Sequence, residues 1–221
     1  MTPQLRKLAL VSHITVTVGW IGSALAYLAL VVSAMVSQEP QTLRAAWIAM
    51  GVIGWIVIVP LAVASVLTGL VMSLGTAWGL VRHYWVLASF VLAVVATAVL
   101  LQHMQTVSFF ANVAAQRDST AAVAELRGAL RAELLHAGLG LVVLLLIEVL
   151  NVYKPQGMTA FGRRTSQIAA TAQPLGADAS GQRTRSAPGS PFWVRVVGAH
   201  AIGLIVLLAI MHITGGGLRF H

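Results

Sequence analysis

Seven histidines stand out in a chain of 221 residues of which only 9% are charged. Six of them fall within or beside long apolar runs, at two distances from the basic residues that flank those runs. At 1.5 Å per helical residue, one group lies within about 9 Å of one boundary of an apolar layer, and the other lies about 26–31 Å from it. The inner group is His13, His83 and His200, and the outer group is His103, His136 and His212.

Imidazoles at two depths predict a redox cofactor. His13, His136 and His200 lie inside apolar runs, where polar side chains are costly and usually functional. Imidazoles from neighbouring helices of a bundle are suitable axial ligands for b-type haem. The sequence therefore predicts electron transfer across a membrane through two haems, with axial ligands drawn from His13 and His200 for the inner haem, and from His136 with His212 or His103 for the outer.

The remaining polar residues of the apolar runs have supporting positions. His83 and His103 are expected at the two edges of the layer, where the polar tip of the ring reaches water. His212 lies near the glycines at 215–217 and is compatible with either position. Glu148, in the run LLLIEVLN, is the only acid expected within the layer. We expect it to act as a proton or charge partner of the inner site, since a buried carboxyl group either pairs with a cation or stays protonated.

Two other functions fit the same residues. Met104 and Met211 each neighbour a histidine, and imidazole with thioether suits copper, so metal-ion handling through His13, His136 and His200 is the first alternative. The second is a structural or assembly subunit whose histidines only form hydrogen bonds across helices.

The chain has no cysteine, which excludes disulfides, thiolate metal sites, iron–sulfur clusters and covalently attached haem. No recognised catalytic motif is present, so the sequence predicts no enzyme class.

Five apolar stretches must position these side chains. Hydrophobic residues make up 58% of the chain, and each stretch approaches or exceeds the ~20 residues that a helix needs to cross a bilayer. Backbone polar groups in lipid are satisfied only within helices or closed barrels. The sequence therefore predicts an all-α, polytopic transmembrane bundle with helices over 8–36, 47–74, 83–105, 130–153 and 192–214. Pro60 should kink the second helix, and Asp118 should cap a helix that runs on into the fourth.

Charge distribution predicts the topology. With the N-terminus inside, nine Lys and Arg residues fall on the inner side and five on the outer, while four of the six acids, Glu133 among them, fall outside. The positive-inside rule then predicts a cytoplasmic N-terminus and an external C-terminus in the plasma membrane, and explains the formal charge of +8 without nucleic acid. The first helix is expected to stay uncleaved, because its apolar run is longer than that of a signal peptide.

Three regions follow from this topology. Residues 1–158 form a four-helix transmembrane core, 159–191 a flexible basic cytoplasmic linker rich in Gly, Ser, Ala and Arg, and 192–221 the fifth helix with an external tail. The expected partners are the lipid bilayer and a redox protein or quinone. Whether the protein is an oligomer is left open.

Several sequence words are shared with one group of proteins: HI at 13–14, GWIG at 19–22, GWIVIVPLA at 54–62, LTGL at 67–70, GTAWGLVRHYW at 75–85 and YKPQGM at 153–158. In these words residues 5–158 resemble an uncharacterised family of predicted integral membrane proteins, known mainly from actinobacteria. The resemblance implies a four-helix core with an appended fifth helix and assigns no chemistry. If that core is the functional unit, His200 and His212 are additions, and the axial ligands of the inner haem are His13 and His83. A looser similarity in architecture, to copper-resistance membrane proteins and haem-binding membrane oxidases of porphyrinogens, favours haem or copper.

Overall fold

The computed structural model of the protein describes residues 2–75, 79–154 and 157–171. This part of the chain is all-helical, as predicted. Its elements, in chain order, are α1 (Pro3–Val36), α2 (Pro40–Ile53), a π-helical turn (Gly54–Ile58), α3 (Val59–Gly75), α4 (Tyr84–Gln116), α5 (Thr120–Tyr153) and α6 (Ala160–Thr171).

Four helical segments are long and apolar enough to cross a membrane: α1, the continuous α2–α3, α4 and α5. They contain 33 to 36 residues each, which at 1.5 Å per residue is about 50 Å, well beyond the ~30 Å of a hydrocarbon core. The four predicted core helices are thereby confirmed as helices that could span a membrane, and each extends past at least one of its predicted ends. The predicted fifth helix over 192–214 lies outside the described residues.

The helices form an up-and-down bundle. α1 packs against α2, α3 and α5, and α4 packs against the same three, so α1 and α4 lie on opposite sides of the bundle. We call the end with the loops 37–39 and 117–119 the loop end, and the end with the N-terminus and residues 79–83 the basic end. Leu43, Trp47, Met50 and Leu126 are fully buried near the loop end, and Nε1 of Trp47 donates to the Leu126 carbonyl. This packing fixes α5 against α2 close to the polar residues described below.

Pro60 stands in the continuous α2–α3 segment, and the helix widens just before it. Proline has no N–H to donate to the carbonyl four residues back, and in the preceding π turn the N–H of Val59 bonds to the carbonyl of Gly54. The turn brings Gly54 so close to Met104 of α4 that a Cβ atom at residue 54 would collide with the methionine side chain. At the proline, where a kink was predicted, the helix therefore widens into a π turn, beside His103.

The helix cap predicted at the loop end is wrong by one residue. Ser119, not Asp118, caps α5, because its side chain accepts from the N–H of Ala122. Asp118 instead forms an ion pair at 2.8 Å with Arg44 of α2, and Arg44 also donates to the Ala114 carbonyl at 2.7 Å. The carboxylate is thus engaged between helices rather than at a helix terminus.

The first part of the predicted linker forms the helix α6. Thr159 caps α6 by accepting from the N–H of Gly162, while its own N–H and hydroxyl reach the carbonyls of Arg82 and Val81. These bonds attach α6 to the chain segment before α4. The remainder of the predicted linker, over 172–191, lies outside the described residues.

The bundle predicts which loops share a side of the membrane. The chain has no cysteine, so single cysteines can be introduced at the exposed residues Gln4, Gln38, Arg117 and Lys154. Gln38→Cys and Arg117→Cys should react with an impermeant maleimide from one side, and Gln4→Cys and Lys154→Cys from the other, because each span reverses the side. The positive-inside rule makes the Gln4 side cytoplasmic. Reaction of Gln4→Cys and Gln38→Cys from the same side would contradict the four-span bundle.

Candidate functional site

Glu133 is buried at the centre of a polar cluster between α1, α4 and α5, with only 3% of its surface exposed. The hydroxyl of Tyr27 donates to Oε1 at 2.6 Å. Nε2 of His103 lies 3.0 Å from Oε1 and 3.1 Å from Oε2. The ring of His136 stacks on that of His103, with centroids 3.5 Å apart and planes inclined by 14°. These four residues are called the Glu133 cluster below.

Helical periodicity and helix packing assemble the cluster. Glu133 and His136 are three residues apart and therefore share one face of α5. His103 comes from α4 and Tyr27 from α1, which pack on α5 from different sides. An ionised carboxylate only accepts hydrogen bonds, so Tyr27 and Nε2 of His103 both donate to it. Burying such a charge without partners costs several kcal/mol, and the two donors offset that cost.

A cavity of about 90 Å³ adjoins the cluster. All four cluster residues line one part of it. The rest of its wall is apolar and comes from α1, the π turn, α4 and α5, including Trp20, Ala24, Ile58, Leu100, Met104, Gly140 and Leu144. An apolar wall with a few convergent polar groups is the usual composition of a small-molecule site.

One expectation for this region is wrong. His103, expected at a wet interface, is buried and bonded to Glu133. Glu133 is more deeply buried among the helices than Glu148, and its expected position outside the membrane layer stays a prediction. The reason lies in helix length: α4 continues to Gln116 and α5 begins at Thr120, beyond the apolar runs. Neighbouring helices, rather than lipid, cover the polar side chains there.

His13 and Glu148 lie nearer the basic end. Nδ1 of His13 is 2.9 Å from the hydroxyl of Thr68 in α3, and that hydroxyl donates its hydrogen to the Ala64 carbonyl. The imidazole therefore donates through Nδ1 and keeps its lone pair on Nε2. Glu148 of α5 is partly buried and lies near Thr17, one turn after His13 on α1. The proton or charge role predicted for Glu148 stays a prediction.

The other predicted ligands are distributed between the basic end and the undescribed residues. His83 immediately precedes α4 and forms a backbone bridge with Met158. His200 and His212 lie outside the described residues. The structure therefore brings His103 and His136 together, and places His13 against Thr68. Ligand pairs that include His200 or His212 stay predictions.

The stacked imidazoles do not fit a haem iron between them. Two axial ligands approach a metal from opposite sides at about 2 Å each, so their nitrogens lie ~4 Å apart and their rings point edge-on at it. His103 and His136 present their faces to each other instead. Within the described ranges no group of three or more histidine, aspartate or glutamate side chains is arranged to hold a metal ion. In this arrangement His103 and His136 cannot serve together as the axial pair of the predicted outer haem.

Tyr27 and Glu133 were not identified from the sequence. The Glu-x-x-His spacing of Glu133 and His136 is the signal that could have revealed the acid, because an i, i+3 pair of this type recurs in metal-binding helix bundles. For Tyr27 the available signal is its spacing of seven residues from Trp20 on α1, which puts both side chains on one helix face.

A double-mutant cycle can measure how strongly Tyr27 and Glu133 are coupled. Tyr27→Phe removes one hydrogen-bond donor to Glu133. It should lower the free energy of unfolding in detergent by about 1–2 kcal/mol, because hydrogen bonds between membrane helices contribute near the lower value and those to buried charges near the upper one. Tyr27→Phe combined with Glu133→Gln should cost less than the sum of the two single changes. Glu125→Gln, an exposed change on the same helix, should stay within about 0.5 kcal/mol. Additive losses would show that the hydroxyl and the carboxylate are not coupled.

No protein-family model, no curated protein and no solved structure matches the chain. The resemblance of residues 5–158 to an uncharacterised membrane family therefore stays a prediction.

Proposed function

We propose that the protein binds a lipid-soluble molecule of the quinone class in the cavity beside the Glu133 cluster. The observation that carries this proposal is the composition of the cavity wall. Most of it is apolar, and the remainder is a hydrogen-bonded Tyr–Glu–His group with a second histidine stacked on the first. A quinone or its hydroquinone has the matching form, an apolar ring and tail with hydrogen-bonding oxygens on the ring. The molecule reaches such a site from the bilayer itself.

The apolar walls favour an amphiphile over water. Apolar cavities tend to stay dry, and a buried water needs two to four polar partners. The polar partners here all belong to the Glu133 cluster, while Trp20, Leu100 and Leu144 line the rest. A continuous water path through the bundle is therefore disfavoured at this point, and a ligand whose apolar part replaces water is favoured.

The size of the cavity limits what enters without rearrangement. Its volume of about 90 Å³ is smaller than the ~150 Å³ of an engineered cavity that binds benzene. A ring therefore requires one wall residue to move, and Met104 is suited to this because its unbranched side chain adapts readily. Gly140 also lines the cavity, and a Cβ atom at that residue would meet nothing within 4 Å, which leaves room on the α5 side.

The cluster supplies the chemistry that a quinone head group needs. A quinone oxygen accepts hydrogen bonds, and an imidazole such as that of His136 is a suitable type of donor. A hydroquinone hydroxyl donates, and the carboxylate of Glu133 is a suitable acceptor. The contact between Glu133 and His103 allows a proton to pass between carboxylate and imidazole as the ligand changes its protonation. The ring of His136 stacks on that of His103, and both rings line the cavity.

Haem and copper are tested separately from this site. Haem-mediated electron transfer requires ligand pairs other than His103 with His136, and a reduced-minus-oxidised absorption spectrum of the purified protein with a sharp Soret change would support it. Copper found by elemental analysis would support the metal alternative. A protein that holds no cofactor and fails to bind quinone would favour the role of a structural or assembly subunit.

By the positive-inside rule we place the basic end in the cytoplasm and the protein in the plasma membrane.

A matched pair of glycine substitutions tests the site. Gly140→Leu should fill the cavity and weaken binding of a short-chain benzoquinone or naphthoquinone at least about tenfold, or ~1.4 kcal/mol. Gly138→Leu is the control: a side chain there also meets nothing within 4 Å, and residue 138 does not line the cavity. Binding can be followed by quenching of tryptophan fluorescence, and Trp20→Phe should remove much of the quenching signal.

The glycine pair separates specific binding from partition into detergent. Partition affects Gly138→Leu and Gly140→Leu equally, whereas occupation of the cavity distinguishes them. Equal affinities for the two variants, or no saturable binding by the wild type, would contradict the proposal.

A further inference from the structure

The basic end of the bundle has an excess of positive charge. It carries Arg6, Lys7, Arg82, Lys154, Arg163 and Arg164. Of the five acids in the described ranges, four lie in the loop-end half of the chain path, and only Glu148, within α5, comes near the basic end. Such an imbalance attracts an anionic partner.

Arg82 lies at the centre of this end and is built into the structure. One of its Nη atoms donates to Ser166 of α6 at 3.1 Å, and its carbonyl accepts from the N–H of Thr159 at 3.0 Å. A Cβ atom at Gly162 would lie 2.5 Å from that carbonyl oxygen, so α6 packs closely on the arginine. Nε of Arg82 is buried, and within the described ranges it has no hydrogen-bond partner. A buried donor of this kind is costly unless an acceptor satisfies it.

The face of α6 turned away from this contact is apolar and exposed. Phe161 and Ile168 are seven residues apart, two helical turns, and so lie on one face. Their exposed fractions are 62% and 70%. Arg163 and Arg164 lie on the same short helix and are exposed. Apolar residues on one face with arginines beside them are typical of helices that lie in the membrane interface.

We infer that α6 lies in the lipid head-group region and, together with Arg82, binds the phosphate of an anionic phospholipid. The planar guanidinium group of Arg82 offers a fork of donors that matches phosphate oxygens, and its side chain is only partly buried. Phe161 and Ile168 contact the upper part of the acyl chains, and Arg163 and Arg164 add attraction to the negative surface. This site is independent of the cavity ligand proposed above.

Lipid retention by the full-length protein tests the inference. In nanodiscs of phosphatidylcholine mixed with phosphatidylglycerol, native mass spectrometry should find phosphatidylglycerol retained by the wild type. Arg163→Gln with Arg164→Gln should weaken retention about fivefold for each arginine removed. The matched control, Arg117→Gln with Arg131→Gln, removes two exposed arginines from the loop-end half and should leave retention unchanged. Equal loss in both double variants, or no preference for phosphatidylglycerol in the wild type, would overturn the inference.

Two further measurements distinguish the lipid from a free anion and locate α6. Inorganic phosphate should fail to displace phosphatidylglycerol; displacement would mean a site for soluble anions and would overturn the lipid assignment. An environment-sensitive fluorophore on Ile168→Cys should shift to the blue in nanodiscs, and on Gln167→Cys, one position round the helix, it should shift less. Equal emission from the two positions would show that α6 does not present this face to the membrane.

Discussion

A buried carboxylate joins three helices of this bundle. Glu133 of α5 can remain buried because Tyr27 of α1 and His103 of α4 both donate to it, and α1 and α4 lie on opposite sides of the bundle. Removing either donor leaves a charge whose burial is no longer fully offset. The distance between α1 and α4 is therefore fixed at this level, and the space left beside the cluster is the cavity.

The same constraint orders the residues around the cluster. The carboxylate sets the orientation of the His103 ring by accepting from Nε2, and the His136 ring stacks on that ring. The π turn before Pro60 brings Gly54 against Met104, the neighbour of His103. Met104, Gly140 and the Glu133 cluster thus line one cavity. That combination suits a quinone-class ligand better than a metal ion, which would need its ligands directed at a common centre.

Hydrophobicity was sufficient to predict the four described spans and their order, because long apolar runs have few alternatives in a bilayer. Hydrophobicity was insufficient to predict where these helices begin and end. Residues 106–116 and 120–129 carry polar and charged side chains, yet they continue α4 and α5, since packing against neighbouring helices stabilises them there. The same packing between helices explains why the site could not be identified from the sequence. Glu133 belongs to the polar start of α5, which hydropathy places outside the membrane, and only the arrangement of α1 and α4 around it shows that it is buried.

The spacing of the histidines predicted only part of the site. Spacing along the chain gives depth, and depth placed His103 and His136 in the same layer; it does not give rotation about the helix axis, on which their stacking depends. For His13 the spacing of the histidines was no help, because its partner Thr68 is not a histidine and lies 55 residues further along the chain.

The most direct test of the central claim uses the histidine rings as reporters. In protein labelled with ¹⁵N on histidine, resonances assigned by single substitution should respond to a short-chain quinone at His103 and His136 and remain unchanged at His13 and His83. Shifts confined to the first pair would establish the Glu133 cluster as the ligand site. Unchanged resonances at His103 and His136 at saturating quinone, or shifts at His13 instead, would contradict it.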